Sequence, residues 1–128
     1  MRVLLDTHAF LWYITANSKL GKQAERVISD GRNQVYISKA SLWEIAIKVS
    51  KGKLKLEKPY QGYIDQQIES NRFMDLGIEQ RHLNRLISLP DHHQDPFDRL
   101  LIAQAISEEM PILTVDRFFS SYPVEIIW

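Results

Sequence analysis

The chain has 128 residues, 45% of them hydrophobic and 25% charged, with sixteen basic and sixteen acidic side chains. That size and balance suit one globular domain with a substantial core, and the cancelled charge leaves any attraction for phosphate to a local patch. Cysteine is absent, which excludes disulfides, thiol catalysis and thiolate zinc sites; no apolar run reaches membrane length, and the opening Met1-Arg2-Val3-Leu4-Leu5-Asp6 turns acidic too early for a secretory leader, so the expected compartment is the cytoplasm.

Val3-Leu4-Leu5 reads as a short, fully buried strand, and Thr7 to Ile14 as a helix with Phe10, Leu11 and Ile14 on one side. Ser18 suits the cap of a second helix, Lys19 to Ser29, that ends near Gly31. Val35-Tyr36-Ile37 is strand-like, and Ser41 to Val49 reads as an apolar helix that runs out at Gly52. Pro59 opens a helix to about Ser70, and Phe73-Met74-Asp75-Leu76 suits a short strand. Glu79 to Leu89 reads as a helix stopped by Pro90, and Pro96 to Glu109 as a strong helix. Ile112-Leu113-Thr114-Val115 reads as a buried strand and Val124-Glu125-Ile126-Ile127 as a last one. Strands alternating with helices predict a parallel sheet covered on both faces. In such sheets the working crevice lies beyond the carboxyl ends of the strands, where strand order reverses. Asp6 and Asp116 each follow a buried strand, so both face one crevice if those two strands are neighbours.

Four acids carry the chemical reading, and each also has a structural one. Asp6 precedes a helix and Asp116 precedes Arg117-Phe118-Phe119, a short helical turn, so both suit N-caps. In Asp95-Pro96-Phe97-Asp98 the pattern makes Asp95 the cap, Pro96 the first helical residue and Asp98 the third, where the positive helix end favours an ionised carboxylate. Ser41-Leu42-Trp43-Glu44 matches a capping box, and Glu44 can pair with Lys48 one turn on. Yet Glu44 lies inside the apolar run Leu42-Trp43-Glu44-Ile45-Ala46-Ile47, where a buried acid needs a specific partner. Taken together, four converging carboxylates resist joint ionisation until a cation fills the space between them. Oxygen ligands alone point to magnesium or manganese, and hydrolysis of a phosphodiester is the chemistry that uses such a site.

The remaining polar residues are less informative. His8 and His82 fall on helices, and His92-His93 read as a solvated loop before Asp95, without the helical spacing of a zinc motif. Thr7 and Thr114 flank the acids and suit either holding a water or plain cap and strand chemistry. Lys48, Lys51, Lys53, Lys55 and Lys58 make one stretch locally basic, which reads as a solvated face or as a phosphate-attracting rim. Trp12, Trp43 and Phe97 read as core or interface.

Leu4-Leu5-Asp6-Thr7-His8, Ser41-Leu42-Trp43-Glu44-Ile45, Asp95-Pro96-Phe97-Asp98-Arg99-Leu100-Leu101-Ile102-Ala103 and Leu113-Thr114-Val115-Asp116 together resemble the PIN-domain nucleases. More narrowly, the chain is similar to the VapC-type toxins of prokaryotic toxin–antitoxin pairs, over essentially its whole length, 1–128, as a single domain. Three family acids fall on Asp6, Glu44 and Asp98; the fourth falls on Asp116, where the family pattern is looser. The resemblance implies a three-layer α/β/α fold around a central parallel sheet and a magnesium- or manganese-dependent endoribonuclease acting on RNA. It also implies a cognate antitoxin and a homodimer. In this reading Asp6 and Asp98 bind metal directly, while Glu44 and Asp116 position a second metal or the attacking water. Two rivals make different predictions. A phosphoryl-handling α/β domain needs an aspartate acceptor and a lysine after a late strand, and no lysine follows Lys58. A non-catalytic interaction module predicts no metal binding.

Overall fold

In a computed structural model describing residues 1–128, the chain runs β1 (Arg2–Leu5), α1 (Thr7–Ile14), α2 (Lys22–Ser29), β2 (Gln34–Ser38), α3 (Lys39–Ser50), α4 (Tyr60–Ser70), β3 (Met74–Leu76), α5 (Gln80–Ile87), α6 (Pro96–Glu108), β4 (Ile112–Leu113) and β5 (Ile126–Ile127). A short 3₁₀ turn, Arg117–Ser121, separates the last two strands. The strands form one sheet in the order β3-β2-β1-β4-β5, and every neighbouring pair is parallel. Strand order therefore reverses between β1 and β4, the two strands that precede Asp6 and Asp116.

Strand alternation sets the layers. Val3 and Leu5 of β1 face a core shared with Phe10 of α1, Ile28 of α2, Ile45 of α3 and Ile64 of α4. Leu4, between them, faces the other side with Ile112, Leu101 and Ile102 of α6, Phe119 and Tyr122. Successive strand side chains point to opposite faces, so three apolar residues in a row require cover on both sides. The result is the expected three-layer α/β/α arrangement. Phe10, Phe119, Leu4, Leu5 and Leu101 are among the largest fully buried side chains, each stabilising the fold by about 1.5–3 kcal/mol relative to exposure.

Helix α6 is buried from Leu100 through Ala105, so its one internal polar residue must be satisfied. Gln104 meets that need: its Oε1 accepts from Ser38 Oγ at 2.6 Å and its Nε2 donates to the Gly77 carbonyl at 3.3 Å. This locks α6 to the β2–α3 junction and to the segment after β3, which fixes the position of the α6 amino end.

Several boundaries differ from the sequence expectation. Helix α2 starts at Lys22 after Gly21, without a side-chain cap, because residues 17–20 form a turn of their own. There Asn17 Oδ1 accepts from the Lys19 amide at 2.9 Å and the Leu20 amide reaches the Asn17 carbonyl. Gly21 is required by a close approach, since a Cβ there would meet the Trp128 indole at 2.7 Å. Helix α3 starts at Lys39 rather than Ser41, because Ser38, the last residue of β2, caps it through the Ala40 amide at 3.0 Å. The Ser41–Glu44 capping box is therefore not formed, and Glu44 is the sixth helical residue rather than one of the first turn. Strand β4 ends at Leu113, two residues early: Thr114 Oγ1 accepts from the Asp116 amide at 3.0 Å, and this local turn peels Val115 outward. Strands β3 and β5 are likewise shorter than expected. Helix α4 is kinked at Gln61–Gly62, where Gly62 adopts φ 87°.

Candidate active site

Each acid is held by the element that carries it. Asp6 leaves β1 and its amide donates to the Leu113 carbonyl at 3.1 Å, tying it to β4. Its Oδ1 accepts from the Ala9 amide at 2.7 Å, capping α1, and the residue is only 5% exposed. Burial pushes the Asp6 carboxyl upward; the Thr114 hydroxyl, the Ala9 amide and His8 oppose this, and the Asp116 charge adds to it. Asp116 caps the 3₁₀ turn, its Oδ1 accepting from the Phe118 amide at 2.9 Å. Asp98 is the third residue of α6, as the Asp-Pro-Phe-Asp pattern predicts, with Asp95 accepting from the Phe97 and Asp98 amides.

Glu44 reaches the group from inside α3 and is 7% exposed. Its Oε1 accepts from Thr7 Oγ1 at 2.7 Å, and Lys48 Nζ lies 2.9 Å from Oε2, so the anticipated pairing one turn along the helix is present. Thr7 Oγ1 also lies 3.0 Å from Ser41 Oγ. Thr7 thus joins α1 to α3 and orients a buried carboxylate, and no buried side-chain nitrogen or oxygen in the chain lacks a partner.

Asp6 and Asp98 are the two acids of the four that burial and neighbouring charge push upward. The Asp98 carboxyl is pushed up to about 7, first by burial, then by the negative charge of Asp95, against His93, with Glu44 and Asp6 adding to the rise. This is a site with too much negative charge for its surroundings, made of oxygen donors from the β1 exit, α3, α6 and the β4 exit. Such a donor set fits a divalent cation of the magnesium or manganese type, which would relieve the repulsion.

His93 departs from the solvated-loop reading. It is 15% exposed, and its Nε2 lies 3.1 Å from Asp116 Oδ2 and 3.3 Å from Asp98 Oδ2. Tyr122 explains the order of that loop. Its hydroxyl accepts the His92 and His93 amides at 3.0 and 2.8 Å and donates to the Pro90 carbonyl at 2.9 Å. No spacing rule in the sequence pairs Tyr122 with His93, so the signal was not there to read.

The surroundings are aromatic and basic. Trp43, 59% exposed, meets the Phe97 ring edge-on at 5.2 Å, which departs from a core reading; Phe118 is 68% exposed. Lys48 touches the site, while Lys51, Lys53, Lys55 and Lys58 are solvated. The largest cavity, of about 590 Å³, is elsewhere, bordered by Trp12, Tyr13, Leu20, Lys22 and Gln67. A second acidic group, Glu79 and Glu108 around the buried His82, has Arg2 and Arg81 as counter-ions. That group is an ion-pair network already neutralised by arginine.

Sheet order, the switch between β1 and β4, and the acids at their carboxyl ends define an α/β protein of the PIN class. The PIN domain model matches residues 3–125, and the chain belongs to the PIN domain family. Ribonuclease VapC22 of Mycobacterium tuberculosis is 27% identical over 121 residues, covering 94% of this chain and 91% of the relative. Among solved structures, VapBC2 from Rickettsia felis bound to a promoter DNA fragment contains a chain that superposes with a TM-score of 0.75 at 20% identity, covering 100% of this chain and 99% of that one. A chain of VapBC-5 from Mycobacterium tuberculosis superposes with a TM-score of 0.63 at 19% identity, covering 98% and 97%.

Proposed function

We propose that this chain is a VapC-type toxin: a single PIN domain that hydrolyses RNA phosphodiester bonds with a divalent cation, magnesium or manganese, held among Asp6, Glu44, Asp98 and Asp116. The observation that carries the reading is the gathering of these acids beyond the strand-order switch, where burial and neighbouring carboxylates push the Asp98 carboxyl up to about 7. A structural set of helix caps has no need of that crowding. The name of the Mycobacterium tuberculosis relative supports ribonuclease activity, and the toxin–antitoxin complexes among the structural neighbours support a cognate antitoxin. A homodimer and a cytoplasmic location complete the proposal; no helix is long and apolar enough to cross a membrane.

The cation would polarise the scissile phosphate, favour ionisation of the attacking water and offset charge on the leaving oxygen. The protein's own part is positioning. Asp6 and Asp98, fixed at the amino ends of α1 and α6, are the direct ligands. Glu44, oriented by Thr7, and Asp116, oriented by the Phe118 amide, complete the ring and accept hydrogen bonds from water at the phosphate. Lys48 lies within reach of Glu44 and supplies a positive rim for the polyanion.

The test is cleavage of total cellular RNA by the purified chain with magnesium or manganese, with chelator, and beside Asp98→Asn. Discrete metal-dependent fragments that vanish in the variant are expected. Absence of both cleavage and calorimetric metal binding would return each acid to a capping role and favour a non-catalytic module.

A further inference from the structure

The position of the His93 proton follows from its neighbours. The Asp95 amide donates to His93 Nδ1 at 3.2 Å, so that nitrogen presents its lone pair and the neutral ring carries hydrogen on Nε2. This hydrogen is bonded to Asp116 Oδ2 at 3.1 Å, and Asp98 Oδ2 lies beside the same nitrogen at 3.3 Å as a close charged neighbour. Direct ligation of a cation by Nε2 would need the proton moved to Nδ1, against the Asp95 N–H. The ligand atoms of His93, Asp98 and Asp116 lie within 4.8 Å of one another, yet the imidazole takes part in that cluster as a hydrogen-bond donor.

The ring is held in this role from three sides. Its main-chain amide donates to Tyr122, its ring packs nearly perpendicular to Phe119 at 5.7 Å, and the Asp95 whose amide aims it is itself the cap of α6. The carboxylates it joins come from separate elements: Asp98 from the start of α6 and Asp116 from the exit of β4. His93 touches both, and their like charges otherwise push them apart.

We propose that His93 is a positioning residue of the cation site, whose Nε2–H holds the Asp98 and Asp116 carboxylates in the arrangement that receives the divalent ion. The inference rests on the reading of the four acids as a metal site. Asp116 Oδ2 keeps a second lone pair while it accepts from the ring, and Asp98 Oδ2 lies against the same N–H, so the contact orients both carboxylates without occupying the ligand atoms. Partners of this kind typically alter metal affinity 10–100-fold when removed.

The experiment is a calorimetric titration of the full chain, stripped with chelator, with manganese at one fixed pH, comparing wild type, His93→Ala and His93→Gln. Nitrogen NMR of the ring accompanies it. The expected result has three parts: hydrogen on Nε2 in the metal-free protein, manganese affinity about tenfold or more weaker in His93→Ala, and recovery of most of that loss in His93→Gln. The glutamine amide reaches the place of Nε2 and still donates, so His93→Gln should melt close to wild type without metal. If His93→Ala melts early, His93→Asn, whose amide is too short to reach, serves as the loss variant. Wild-type affinity in the loss variant would overturn the inference and leave the metal site standing. A ring with hydrogen on Nδ1, or a ring nitrogen resonance displaced by diamagnetic magnesium as in direct ligation, would also overturn it. No manganese binding by the wild type would overturn the metal reading itself, and this inference with it.

Discussion

Removing the charge of Asp98 should stabilise the metal-free protein while abolishing cleavage. The Asp98 carboxyl rises from an ordinary 3.8 to about 7 in the fold. Below the lower value, folded and unfolded chains both carry the proton and nothing differs. As pH rises from about 4 to about 7 the unfolded chain releases it first, so stability falls through that window and the loss is complete above it. At ~1.36 kcal/mol per pH unit the ceiling is about 4 kcal/mol. The side chain retains 26% exposure, and solvent screening brings the expected penalty to about 2 kcal/mol. Asp98→Asn removes that penalty and gives up ~0.3–1 kcal/mol of favourable charge at the α6 amino end. The net gain of about 1–2 kcal/mol corresponds to a melting temperature about 4–8 °C higher at pH 8 for a domain of this size. Thermal melts in chelator at pH 5 and pH 8 measure it: the gain should be large at the higher pH and small at the lower. Magnesium or manganese should raise the wild-type melting temperature more than that of the variant. An Asp98→Asn protein that melts at or below wild type at pH 8, or a gain independent of pH, would refute the claim that crowding of charge strains this site.

Asp6→Asn should abolish RNA cleavage yet leave the circular dichroism spectrum and the helix cap intact, because asparagine caps as well as aspartate; cleavage at the wild-type rate with magnesium would remove Asp6 from the site. Thr7→Val keeps the shape of the side chain and deletes the 2.7 Å donor to Glu44. It should destabilise by about 1–3 kcal/mol in urea unfolding at neutral pH and lower cleavage, and unchanged values for both would mean that Thr7 does not orient Glu44. Gln104→Leu leaves the Ser38 hydroxyl and the Gly77 carbonyl without their partner. A loss of about 1–3 kcal/mol is expected, and a change under ~0.5 kcal/mol, the level of a neutral surface substitution, would refute the anchoring role assigned to it.

The order of elements was legible because β1, β4 and α6 carry apolar runs that only a doubly covered sheet can bury. The Asp95-Pro96-Phe97-Asp98 cap could be read residue by residue, since proline at the first helical position and an acid at the third are local effects. Other features were decided by contacts distant in sequence. Ser38 displaced Ser41 as the cap of α3 because Gln104, 66 positions on, fixes its hydroxyl. His93 entered the site because Tyr122 clamps its loop, and Trp43 lies outward against Phe97 although its neighbours form an apolar run. Local pattern names the helix; tertiary hydrogen bonds choose its first residue and decide which loop is ordered.

The capping reading and the catalytic reading of the acids do not compete, because for three of them they are one physical fact. Asp6 and Asp116 cap their helical turns, and Asp98 lies in the first turn of α6. A positive helix end placed beyond a strand offsets part of the burial and repulsion that push the Asp6 and Asp98 carboxyls upward, and a parallel sheet sets several such ends along one crevice. Glu44 is the exception. It is the sixth residue of α3, too far in for the helix end to help, and it is the acid supplied with a hydroxyl from Thr7 and an ammonium from Lys48. The difference separates the acids under substitution. Asparagine at Asp6 keeps the cap through its amide oxygen and removes the charge, whereas at Asp116 it also turns an NH2 toward the His93 Nε2–H, so Asp6 gives the cleaner separation of function from folding. Glutamine at Glu44 can still accept from Thr7 through its amide oxygen, but it leaves Lys48 without its counter-charge and turns an NH2 donor toward that ammonium, so Glu44→Gln should lose stability as well as cleavage. Equal stability losses for Glu44→Gln and Asp6→Asn would show that the helix ends contribute nothing particular to holding this charge.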